Sequence, residues 1–157
     1  MGEKMIYERG ASMIEIIGVL AIAGLMSAAA IGMYNTIRNN QARKIASTQM
    51  EEIVRNTKML MGMQGNYNGL SITYLISAGA LDNDNPPIGG DDWSVVPTFD
   101  GAGFSINLTE LSNGECEYFA TTKPKWATRI VINNSDYTGT NPNCFSSDIN
   151  KISFIVE

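Results

Sequence analysis

The strongest constraint on the fold is an uncharged run of 18 residues, Ile16 to Met33, with the lone carboxylate of Glu15 directly before it. As a helix such a run measures ~27 Å, close to the ~30 Å hydrocarbon core of a bilayer. A carboxylate costs ~2.5–3.5 kcal/mol at mid-bilayer, so Glu15 calls for a role. Beyond the run the pattern turns amphipathic without interruption. Ala42, Ala46, Met50, Ile53, Thr57, Leu60 and Met61 share one face at helical spacing, and Lys44, Glu51, Arg55 and Lys58 share the opposite one. No proline occurs before Pro86, and the first turn-rich stretch is "GMQGNYNG" from Gly62. The spacing therefore predicts one helix from about Ser12 to about Met61, ~75 Å long. Gly18, Gly24 and Gly32, with Ala21, Ser27 and Ala28, give its apolar half small-residue surfaces on which other helices can approach closely.

A chain of 157 residues, less this apolar segment, leaves roughly 120 residues, enough for one modest core and one head. The sequence contains no histidine, which excludes Ser-His-Asp and Cys-His catalysis, His-ligated zinc and the usual proton shuttle near neutral pH. A non-enzymatic protein without a cofactor or metal is expected. The two cysteines, Cys116 and Cys144, lie behind an export-type N-terminus and read as a disulfide formed in an oxidising compartment. Closing a loop of about 29 residues contributes ~3–4 kcal/mol in the chain-entropy account.

The net charge of −5 is unevenly spread: residues 34–63 carry +3 and residues 64–157 carry −7. Opposite signs on consecutive segments are a means of ordering copies of the chain against one another, and the alternative is simply solvated faces. The acidic C-terminal part argues against direct nucleic-acid binding.

Downstream, "LSITYLISAGAL" (Leu70 to Leu81) reads as a short helix with Leu70, Tyr74, Leu75 and Ala78 inward, and "DNDNPPIGGDD" as a surface loop. Its acids follow a calcium loop only in part. Pro86 interrupts the alternation begun by Asp82 and Asp84, and Trp93 stands where the closing glutamate belongs. "WSVVPTF", "GFSINL", "ATRIVIN" and "KISFIVE" are strand-like, with a loop "NNSDYTGTNPN" before the last. In "SNGECEYFATT", Ser112 and Glu115 have capping-box spacing, which favours a short helix over the alternative of a strand. An α+β head follows, with an antiparallel sheet packed on the amphipathic half of the long helix.

The segment "RGASMIEIIGVLAIAGL" resembles the class III signal of type IV pilins. These have a short leader ending in glycine, then a small or apolar residue, and a glutamate five places after the cut that opens a long apolar run. The resemblance implies a leader at 1–10, a hydrophobic transmembrane stem at 11–33 and a globular head at 34–157. It implies cleavage between Gly10 and Ala11 by a prepilin peptidase, N-methylation of Ala11, and a register role for Glu15, whose carboxylate meets the freed amine of a neighbouring subunit. The expected partners are further copies of the chain in a pilus filament, the inner membrane before assembly, the peptidase and the pilus assembly machinery. The implied fold is that of the type IV pilins: a long N-terminal helix on an antiparallel sheet with a C-terminal disulfide loop.

The spacing "CEYF…TRIVINN…CFSSDINKISFIV" looks like type IVb pilins, including conjugative thin-pilus subunits. Three features depart from family habits: the stem lacks proline, the leader is short for type IVb, and the residue after the cut is alanine. A type II secretion pseudopilin, a minor pilin and a secreted or membrane-anchored binding module with an ordinary signal peptide, cut near Ala30, remain the alternative readings.

Overall fold

The computed structural model describes residues 2–157, with side chains from Ser12 onward. Helix α1 spans Gly2–Met61 and is followed by a single 3-10 turn, Gly62–Gln64, closed by Gly65 in the left-handed region. It starts ahead of the expected Ser12 because no proline or turn cluster interrupts the preceding residues. By its internal contacts the chain divides into two compact units, Met1–Gln41 and Ala42–Glu157.

The second unit is an α+β head. After α1 come α2 (Ile72–Ser77), β1 (Ser94–Pro97), β2 (Phe104–Leu111), α3 (Asn113–Thr121), β3 (Arg129–Ile132), β4 (Ser135–Asp136) and β5 (Asn150–Val156). All strand pairings are antiparallel, in the order β1-β2-β5-β3-β4. The register aligns apolar side chains across the sheet: Val95 with Ile106, Ile106 with Phe154, and Phe154 with Ile130. A second row joins Leu108, Ile152 and Ile132. These residues are buried together with Ala46, Met50, Ile53, Val54 and Met61 of α1 in one core, so the period-two face of the sheet meets the period-3.6 stripe of the helix.

Several local expectations shift. Ala42 and Ala78 are exposed. Ala42 lies a turn ahead of Ala46, where the buried stripe begins. Ala78 is already the C-cap of α2, and the chain reverses at Gly79 (φ 78°) to turn Ala80 and Leu81 inward instead. The segment "NNSDYTGTNPN" is not loop throughout. Asn133 (φ 48°) and Asn134 (φ 68°) form a two-residue turn with both residues left-handed, and Ser135–Asp136 pair back onto β3. Asparagine tolerates that backbone better than most residues, and such turns match the twist of a hairpin. The predicted helix at Ser112 is present with its full capping box: the Ser112 hydroxyl accepts from the Glu115 N–H, and the Glu115 carboxylate accepts from the Ser112 N–H.

Two buried side-chain hydroxyls, those of Thr57 and Thr109, have no hydrogen-bond partner among the described residues. Thr57 faces inward from α1, fully buried, and its hydroxyl makes no hydrogen bond. An unsatisfied buried hydroxyl costs ~1–3 kcal/mol, so Thr57→Val is expected to stabilise the head by about 1 kcal/mol. That corresponds to a rise of about 4 °C in the melting midpoint; a lower midpoint in calorimetry would refute it.

Candidate functional site

The first unit carries the feature that most needs an explanation. From Ser12 to Gln41 every residue of α1 is exposed, including the large apolar side chains, with Ile14 and Leu25 both at 73%. From Ser12 on the helix is long and apolar enough to cross a membrane. A contiguous apolar surface of this extent marks an interaction site for membrane or protein. Two hydroxyls within the segment bond back to the helix: that of Ser27 donates to the Ala23 carbonyl at 2.8 Å, and that of Thr36 to the Gly32 carbonyl at 3.1 Å. Such back-bonding suits a helix in an apolar medium, where no water completes the bonds.

Gly18, Gly24 and Gly32 serve no packing among the described residues, since a Cβ at any of them meets nothing there within 4 Å. Each costs ~1 kcal/mol of helix stability relative to alanine. What they supply is a flattened surface toward whatever covers the helix. Glu15 is exposed near the start of this segment. Among the described residues the only ion pair is Arg129–Asp136, so Glu15 has no charge partner among them. Gly10 and Ala11, where cleavage and methylation are expected, lie outside the residues whose side chains are described.

The other predicted pair lies in the head. Cys116, buried on α3, and Cys144, half-buried ahead of β5, form a disulfide with Cα atoms 6.0 Å apart. The sequence reading missed the residue that closes the same loop from the other end. Asn150, fully buried at the start of β5, donates through Nδ2 to the carbonyls of Leu111, Phe145 and Ser147 at 3.0–3.1 Å. Its Oδ1 accepts from the Phe145 N–H at 2.6 Å and from Asn133 Nδ2 at 3.0 Å. Asn133 in turn binds the Asn143 carbonyl and, through Oδ1, the Lys151 N–H. One signal in the sequence does point to it. Counting back by two from the inward Val156, Phe154 and Ile152 places Asn150 on the buried face, where an amide must be hydrogen-bonded.

No protein-family model matches the sequence, and no curated protein matches it either. Among solved structures the chain is similar to TcpA, a type IV pilin from Vibrio cholerae El Tor biotype. The match has a TM-score of 0.59 and 12% identity over 74% of this chain and 99% of that one. The long N-terminal helix, antiparallel five-stranded sheet and disulfide loop are the type IV pilin fold.

Proposed function

We propose that this chain is a structural subunit of a type IV pilus. It is made as a prepilin held in the inner membrane, cleaved after Gly10 by a prepilin peptidase, methylated on Ala11 and polymerised through its N-terminal helix into an extracellular filament. The domain division that follows is leader 1–10, stem 11–33 and head 34–157. The cysteine spacing favours the type IVb kind. The observation that carries the reading is the exposed apolar helix with a single carboxylate near its start, continuous in sequence with a head of pilin fold.

The physical logic is consistent across both parts. The stem is as apolar as lipid, so it can leave a bilayer for a bundle of identical stems at little hydrophobic cost, and close contact at Gly18, Gly24 and Gly32 then favours the bundle. Glu15 is costly in both environments unless it meets a cation, and the freed amine of Ala11 on a neighbouring copy supplies one. The head, with its disulfide loop, forms the filament surface. The test is the mature N-terminus of the exported protein. Mass spectrometry is expected to find Ala11, one methyl group heavier than unmodified alanine; an N-terminus near Ala30 would overturn the reading in favour of an ordinary signal peptide.

A further inference from the structure

Two grooves of opposite charge flank the same stretch of α1 in the head. On one side a cavity of about 570 Å³ is lined by Arg55, Lys58 and Lys125 with Trp126 and Met59, and by the single carboxylate of Glu51. On the other side a polar cavity of about 330 Å³ lies between Glu52 and Asn56 of α1 and the loop carrying Asp82. Arg55 and Lys58 are three residues apart and so share one flank of the helix, whereas Gln49, Ile53 and Asn56 share the other. The grooves therefore stand at the same height, back to back across the exposed ridge of α1.

Both surfaces are preformed. The acidic loop is fixed where the Trp93 indole N–H donates to the Asp84 carbonyl at 2.7 Å and Asn56 Nδ2 donates to the Ala80 carbonyl at 3.2 Å. Trp126 is seated against Phe154, with ring centroids 5.5 Å apart. None of Arg55, Lys58, Lys125, Glu52 or Asp82 takes part in an ion pair among the described residues. The head thus holds cations on one flank and carboxylates on the other, all left for something outside the chain.

We infer that the basic groove of one copy receives the acidic loop of the next, so that heads join side by side through Arg55, Lys58 and Lys125 against Glu52 and Asp82. The two surfaces open on opposite flanks of the α1 ridge, so a neighbour seated on one of them does not also reach the other. The contact is therefore heterologous, the kind that propagates into a ring or a helical filament rather than closing as a dimer. Charge complementarity of this kind fixes register and rejects wrong neighbours more than it adds affinity. The inference rests on the filament reading and adds to it a second, head-level determinant independent of the stem.

The experiment is a charge swap in the full-length chain. Arg55→Glu with Lys58→Glu is expected to lower the yield of sheared filaments at least about tenfold, since like charges then face one another. Both residues are exposed and form no ion pair among the described residues, so precursor level, disulfide formation and melting midpoint are expected to stay at the unmodified values. Adding Glu52→Lys and Asp82→Lys to that variant is expected to restore filaments to within about threefold. Filaments made normally by the double variant, or not recovered in the quadruple one, overturn the inference. So does unchanged assembly accompanied by lost retention of a single-stranded oligonucleotide, which assigns the Trp126 groove to nucleic acid instead. If the unmodified chain itself forms no filaments, the filament reading falls and takes this inference with it; if it forms them and the charge variants are indifferent, only the inference falls.

Discussion

Glu15→Ala is expected to abolish filaments while leaving removal of the leader at its normal level. The residue stands near the start of the apolar segment of α1, which is exposed from Ser12 to Gln41. In the filament proposed above, the carboxylate and the freed Ala11 amine of a neighbour neutralise one another, and deleting one leaves the other as an uncompensated charge in an apolar core. Breaking a buried pair in this way costs ~3–5 kcal/mol. At 1.4 kcal/mol per decade that is a loss of roughly two to three and a half orders of magnitude in the association constant per added subunit. Glu15→Gln is expected to fail similarly, because the amide leaves the neighbour's ammonium group equally unpaired. The measurements are the ratio of cleaved to uncleaved chain on a gel and the yield of filaments sheared from cells. Normal filaments from Glu15→Ala would remove the register role, and accumulation of uncleaved chain would transfer Glu15 to recognition by the peptidase.

Loss of the disulfide is expected to have the largest effect on the head itself. Replacing both cysteines, Cys116→Ser with Cys144→Ser, removes a cross-link between residues 28 apart in sequence. The expected destabilisation is ~3–4 kcal/mol, or a fall of about 10–20 °C in the melting midpoint of the full-length chain in detergent. The sheet is expected to survive. Asn150 still ties Phe145 and Ser147 to the end of β2 at Leu111, and it is itself held by Asn133. The variant therefore keeps the far-ultraviolet circular dichroism of the native head below its midpoint while the loop between the former cysteines exchanges its amide hydrogens faster. A shift in midpoint of less than about 3 °C would mean that the asparagine network alone holds the loop.

How far the sequence disclosed this structure depends on the range of the interaction involved. Where a few neighbouring residues decide, the reading was close. The amphipathic half of α1 was legible in the spacing of Ala46, Met50, Ile53, Thr57 and Met61, all buried, and α3 in the local capping chemistry of Ser112 and Glu115. Ala42 and Ala78 were misplaced because a periodic pattern does not reveal where a burying partner ends. The Asn133–Asn134 turn was legible in principle, as two residues that tolerate left-handed backbone between β-branched and polar residues, but the long polar stretch behind it concealed the two-residue strand β4. Strand order was not legible at all. That β5 enters between β2 and β3, and that Asn150 consequently meets Leu111 across 39 residues of chain, is decided by contacts no local window contains. Of the candidate surfaces, the apolar run and the carboxylate of Glu15 before it were evident along the chain, the role of Glu15 only through the resemblance, and the charge imbalance between residues 34–63 and 64–157 was evident as a sum. Its resolution into two grooves on opposite flanks of one helix required the fold.

The position of β5 has a consequence for when the head can form. β5 follows every strand it pairs with, yet it sits at the centre of the sheet. Until it emerges, the rest of the sheet is two separate hairpins, β1–β2 and β3–β4, each of a size that is marginal in water by itself. The helix needs no such wait, because its hydrogen bonds are local. On the proposed reading, synthesis and export run in a fixed order: the apolar helix is lodged in the bilayer while the head behind it is still an open chain, and the core is sealed only when Asn150–Val156 arrives. On that reading a chain stalled short of that strand is anchored but headless, and its unpaired β2 and β3 edges are open to degradation rather than to assembly.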